Sequence, residues 1–433
     1  MSDGLFDGVL AAGPVARLVE DRAWVQAMLD FEGALALSSA EAGVIPEQAA
    51  LEIEKHCLAV DYDIAALGAA AATIGNPAGP LVRELARRAG AYVHLGATSQ
   101  DVIDTAAMVV TARALDALIV ELRCCADLLD RLAEEHLETV MAGRTLLQQA
   151  LPTTFGLVSA CWLSGVACCY EQVARVRGRL AVQFGGAVGT LAALRDNGIP
   201  VLAGVARRLG LAEPVLPWHT ERGRIAEIAG ALGQVSGAVA KVARDIVLLA
   251  QTEVGEVREG GPAGGSSTMP HKRNPIAAVL AASAAAQAPG LVATLLGAAA
   301  HEHQRAAGAW HAEWRPLTEL LRGTGSAVHW LRRSLERLVV DPARMRVNLD
   351  ARVLTEHIVT ELVSISAMGR QEAVDLIAAH ADSGDPVERL VANPAIGRHL
   401  THRRIAELLD PTGYLGCSAQ FVDRARAEWS RLR

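Results

Sequence analysis

Proline is absent between Pro80 and Pro152, between Pro217 and Pro262, and between Pro316 and Pro342. A proline inside a helix removes a backbone hydrogen bond and clashes with the preceding turn, so each gap leaves room for one or more long helices. The first gap carries Leu115, Leu118, Leu122, Leu129 and Leu132 at three- to four-residue spacing. Arg and Glu fall between them, which is helical periodicity. The second repeats it with Ile225, Ile228, Leu232, Val235, Val239 and Val242, continuing through Ile246 and Leu249. Glycines and alanines on these segments permit close helix–helix approach, and most of the periodic positions read as ordinary core.

Composition points the same way. Aromatic residues are only 4% of the 433, apolar residues 51% and charged residues 21%. That mixture favours helix over sheet and excludes disorder or a fibrous repeat. Period-2 segments bounded by turns are scarce, so the chain reads as all-α with three helical domains. These are an N-terminal domain over 1–107, a central long-helix bundle over 108–343, and a C-terminal domain over 344–433. The glycine-dense stretch 255–265, GEVREGGPAGG, reads as the one clear flexible loop.

The formal net charge of −7 and the lack of a basic block exclude a nucleic-acid footprint and an electrostatic membrane anchor. No run of about 18 uncharged apolar residues is read, so no membrane-crossing helix is expected. The start, MSDGLFDGVL, has acids where a signal peptide has a positive region. Seven cysteines, with pairs at Cys124–Cys125 and Cys168–Cys169 and no C-x-x-C spacing, read as reduced thiols of a cytoplasmic protein.

Three polar islands interrupt this background. Tyr92–Thr105, YVHLGATSQDVIDT, places His94, Thr98, Ser99 and Gln100 before a helix with Ser99 or Asp101 as cap. Hydroxyls and free N–H groups at a helix N-terminus suit a carboxylate ligand; a plain cap beside a partly buried histidine is the alternative. In the second island, Gly143–Thr154, Thr145 and Gln148 lie three apart and on a helix would share a face, a weak signal by itself. The third, Gly264–Pro275, crowds paired serines, Lys272, Arg273 and Asn274 behind a glycine-rich lead. A serine there can act as a general base if cations and N–H groups stabilise its alkoxide. Lys272 and Asn274 suit a carboxylate. A phosphate-binding loop is excluded by the missing GK[ST] ending.

The loop SSTMPHKRNP at 266–275 resembles the S-S-x-M-P-x-K-x-N-P signature of the fumarase/aspartase superfamily. TSQD at 98–101 and GRT-x-x-Q at 143–148 resemble its other two blocks in order and spacing. Longer stretches are similar to the carboxymuconate cycloisomerase branch: LFDG at 5–8, AMLDFE at 27–32, QFGGAVGTLAAL at 183–194, PWHTER at 217–222, QTEVGEV at 251–257 and AGAWHAEW at 307–314. The resemblance covers essentially the whole chain.

It implies a homotetramer with a twenty-helix core, active sites shared between subunits, a small di- or tricarboxylate substrate, and neither metal nor organic cofactor. By the same resemblance Ser266 is the catalytic base. Thr98, Ser99, Gln148, Lys272 and Asn274 hold the substrate, and His94 and Thr145 line the site. Arg305, His311, Arg315 and Arg17 are read as contributors to an anion-binding wall, and the His301-Glu302-His303 cluster is not read as a metal site because Arg305 replaces the second histidine of an H-E-x-x-H pair.

Superfamily members that expel hydroxide or an amine carry a histidine in the second island and a glutamate after the third. Gln149 and Val279 stand at the matching positions. A neutral amide has no proton to give, so the resemblance ranks a stable anionic leaving group first. That favours muconate lactonisation, then release of nitrite and fumarate from nitrosuccinate. Adenylosuccinate- or argininosuccinate-type lyases follow, with a non-catalytic structural tetramer as the reading from another class. The segment DARVLTEH at 350–357 departs from the cycloisomerase pattern.

Overall fold

The computed structural model describes residues 4–261, Met269, 272–379 and 386–433. Ser266 therefore lies outside the described residues. The described chain is mostly helical, and it divides into two compact units. The first comprises Met1–Cys124, Cys168–Ala243 and Ala277–Arg333; the second comprises Cys125–Ala167, Arg244–Ile276 and Ser334–Arg433. The helices Ser99–Glu135, Gly223–Leu249 and Ala309–Leu335 each contribute residues to both.

The proline gaps are filled largely as their periodicity requires. Ile225, Ile228, Leu232, Val235, Val239, Val242, Ile246 and Leu249 are all buried along Gly223–Leu249. The first half of Ser99–Glu135 is buried almost all round, as befits a core helix. Small residues do set close approaches: a Cβ built on Gly325 would lie 2.4 Å from Val15 Cβ in the first unit. Pro316 differs from the expectation, because the third helix starts at Ala309 and contains it.

Two small antiparallel pairings accompany the helices. Val140–Thr145 pairs with Gln148–Thr154, with a register irregularity at Gly143. Thr145 and Gln148 are thus cross-strand partners at a two-residue turn and do not share a helix face. The second pairing joins Val257–Glu259 to Leu338–Val340, so part of the stretch read as a flexible loop is strand. Phe155–Arg177 and Ile276–Gly297 are long and apolar enough, by length and composition only, to cross a membrane. The latter is divided into Ile276–Ala285 and Ala288–Gly297, and only 33% of its apolar window is buried within the chain. In the second unit Ile358, Leu362, Ile377, Leu390, Ile396, Ile405 and Leu408 form a separate core among short helices.

Candidate active site

The first unit builds its polar centre at the N-terminus of Ser99–Glu135. The cap is one residue earlier than Ser99: Asp101 N–H donates to Thr98 O at 2.9 Å, and Thr98 N–H donates back to Asp101 Oδ2 at 3.0 Å. This is one half of a capping box, with aspartate in the acidic place. Asp101 does far more than cap. Its carboxylate also accepts from Gly185 N–H at 3.0 Å, Gly186 N–H at 2.9 Å and Gln183 Nε2 at 3.3 Å, and its Oδ1 is 2.7 Å from His219 Nε2. One fully buried side chain therefore fixes the QFGG loop and the PWHTER segment against the helix start.

One turn further on, Asp104 holds a second set of partners. Arg222 bridges it and Glu313: its guanidinium reaches Asp104 at 2.8 and 3.1 Å and Glu313 at 3.0 and 2.5 Å. All three are buried. Trp310 Nε1 and Gln100 Nε2 complete the carboxylate of Asp104 at 2.9 and 3.0 Å. Burial works against the Arg222 charge, but Asp104 and Glu313 outweigh it and raise its pKa further.

These anchors leave a half-buried shelf. The hydroxyls of Thr98 and Ser99 make no hydrogen bond to any described residue, while the first N–H groups of the helix carry its positive end. Arg305 joins them through the same loop, donating to Gly186 O at 2.7 Å. Burial lowers the Arg305 pKa, opposed by Asp101 and Asp104, and its ordinary value is so high that the cation persists. His94 precedes the cap in a left-handed conformation, φ 63°, and its Nδ1 is 2.6 Å from Glu32 Oε1.

Thus His94, Thr98, Ser99 and Arg305 are brought together in the first unit. His311 instead has Nε2 at 3.0 Å from Gly75 O, and Arg17 and Arg315 are exposed. A cavity of about 740 Å³ beside Asp30, Arg113, Arg177 and Arg208 contains none of the site residues. Its arginines are already paired, with Asp30, Asp116 and Glu41.

In the second unit, Thr145 and Gln148 flank Leu146 and Leu147, which are 96% and 70% exposed with φ of 52° and 66°. Arg144 secures the base of this hairpin on the buried Glu256, at 2.9 and 2.6 Å, and Asn348 Nδ2 donates to the same carboxylate at 2.9 Å. Gln149 donates to Asn348 O at 2.7 Å and accepts from Asp350 N–H at 3.1 Å. Its amide is therefore spent on the backbone leading into the segment 350–357. Lys272 is exposed, and Asn274 precedes the helix Ile276–Ala285.

The chain matches the family described as Lyase over residues 12–290 and the one described as Adenylosuccinate lyase C-terminus over 351–425. It belongs to that lyase family, the fumarase/aspartase superfamily. It is 44% identical to a 3-carboxy-cis,cis-muconate cycloisomerase of Pseudomonas aeruginosa, covering 99% of this chain and 97% of the relative. It is 41% identical to a nitrosuccinate lyase of Streptomyces davaonensis, covering 98% and 94%. A solved 3-carboxy-cis,cis-muconate lactonizing enzyme of Pseudomonas putida superposes with a TM-score of 0.92 at 40% identity, covering 99% of each chain.

Proposed function

We propose that the protein catalyses the lactonisation of 3-carboxy-cis,cis-muconate without a metal or organic cofactor. A carboxylate oxygen of the substrate adds to one carbon of a C=C bond. The neighbouring carbon, itself beside a carboxylate, takes the electron pair as an aci-carboxylate and then a proton. The product is a lactone isomeric with the substrate. In this reading Ser266 carries that proton, and in the reverse direction it is the base. Thr98, Ser99, Gln148, Thr145, Lys272 and Asn274 hold the carboxylates, with His94 and Arg305 beside them.

The observation that carries the reading is the shelf at the start of Ser99–Glu135: hydroxyls of Thr98 and Ser99 that bond to no described residue at a helix N-terminus, with Arg305 on the adjoining loop. It suits a substrate with several carboxylates. Relatives 36% to 44% identical over 87% or more of this chain carry the name 3-carboxy-cis,cis-muconate cycloisomerase and support it, beside a nitrosuccinate lyase at 41% and a trans-aconitate decarboxylase at 34%. The same reading makes the protein a cytoplasmic homotetramer whose sites are shared between subunits. The exposed Leu146–Leu147 turn and the largely uncovered helix pair Ile276–Gly297 support self-association, because apolar surface of that extent calls for a partner.

Nitrosuccinate elimination is the second reading, favoured by the same missing acid: the Gln149 amide has no proton to lend and is held by two backbone groups. Nitrite, like a carboxylate, leaves as a stable anion. Offered 3-carboxymuconate, nitrosuccinate, aspartate, malate and adenylosuccinate, the protein is expected to turn over the first, or failing that the second. Efficient turnover of any of the last three overturns the leaving-group argument.

A further inference from the structure

Glu32 is out of place on its helix. It lies in Asp21–Glu41 among Leu29, Phe31, Ala34, Leu35 and Ala36, all buried, and its own carboxylate is fully buried. Oε1 meets His94 Nδ1 at 2.6 Å, while Oε2 has no hydrogen-bond partner among the described residues. A lone buried carboxylate costs several kcal/mol, so its charge requires a cation close by. Asp101 acts on His94 from the start of Ser99–Glu135, itself bound to His219, and Arg305 lies on the loop beyond Gly186. On the Glu32 side lies the buried Cys57, whose thiol is pushed up to about 12 by burial and then by the charges of Glu32, Asp30 and Glu54, and so stays neutral.

We propose that Glu32 is a positioning residue that holds His94 as an imidazolium, with Nδ1–H donated to Glu32, so that Nε2–H serves one substrate carboxylate. The proposal rests on the function proposed above. Its geometry is direct: Nδ1 is taken, the ring is 20% exposed, and Nε2 has no hydrogen bond to a described residue. His94 makes this contact from a left-handed backbone, φ 63°. Burial disfavours the ring's charge, yet Glu32 and Asp101 together raise its pKa above the usual 6.5. The sign follows: the charged pair is fully formed below that value and is lost as pH rises through the raised one.

The test uses the full chain labelled on its histidines. The His94 ring signal, identified by its loss in His94→Gln, is titrated by NMR with no substrate present. In the same protein, the pH dependence of kcat/KM for 3-carboxymuconate is recorded for wild type and Glu32→Gln. His94 is expected to keep its proton above pH 6.5 in the wild type. In Glu32→Gln the basic limb of kcat/KM moves to lower pH, and KM at neutral pH rises about 10-fold with kcat changed far less, as for loss of a charge-assisted contact made equally in ground and transition states. A wild-type His94 that titrates at or below 6.5, or an unmoved profile in Glu32→Gln, overturns the proposal. If Glu32→Gln does not fold, the wild-type titration alone decides. A His94 that titrates above 6.5 together with no turnover of 3-carboxymuconate would instead count against the proposed substrate.

Discussion

Replacing Ser266 by Ala is expected to remove turnover while leaving the assembly intact. A positioned general base contributes about 10²–10⁴-fold. On the proposed reading no histidine shares the work, and the Gln149 amide is bound to Asn348 O and Asp350 N–H. A serine hydroxyl titrates far above neutrality, so it serves as a base only where cations and backbone N–H groups stabilise the alkoxide. Lys272, six residues along the same loop, is the nearest cation in sequence. Activity assay and size-exclusion chromatography of Ser266→Ala check this together. Near-normal activity in that variant contradicts the assignment.

The largest effect on stability is expected at Arg222. Truncation to Ala leaves Asp104 and Glu313 buried without their shared counter-ion, and breaking such a pair by removing one partner costs about 3–5 kcal/mol. The loss is not confined to stability. Asp104 holds Gln100 and Trp310 one turn below Thr98 and Ser99, so the shelf loosens with it. Arg222→Lys does not restore the arrangement, because an ammonium cannot make two bidentate contacts at once. Chemical unfolding at one fixed protein concentration measures the change. A difference below about 1 kcal/mol would mean that the network is dispensable.

The long helices were legible because their apolar residues recur every three to four positions without proline. The helix start at Thr98–Ser99 was legible too, since hydroxyl residues before an apolar run are a capping signal. The hairpin Val140–Thr154 was not. A two-residue turn normally announces itself with Asn or Gly at positive φ, and here Leu146 and Leu147 take those places. The irregularity at Gly143 further hides the strand alternation, and a Cβ there would meet Leu151 O at 2.7 Å. Glu32, Asp104, Arg222 and Glu313 escaped notice for a different reason. Each looks like an ordinary surface charge in sequence, and its partner is 62 to 118 residues away. The sequence marks Asp101 only as part of a helix start, where it accepts from Thr98 N–H, whereas its contacts to Gly185, Gly186 and His219 belong to tertiary structure.

The account stands most directly on one product. The purified, chelator-treated protein is incubated with 3-carboxy-cis,cis-muconate in D₂O, and the product is examined by NMR. Addition through an aci-carboxylate predicts a lactone with a single deuterium on the carbon beside a carboxylate. No consumption of this substrate, together with efficient turnover of aspartate, malate or adenylosuccinate, would contradict it.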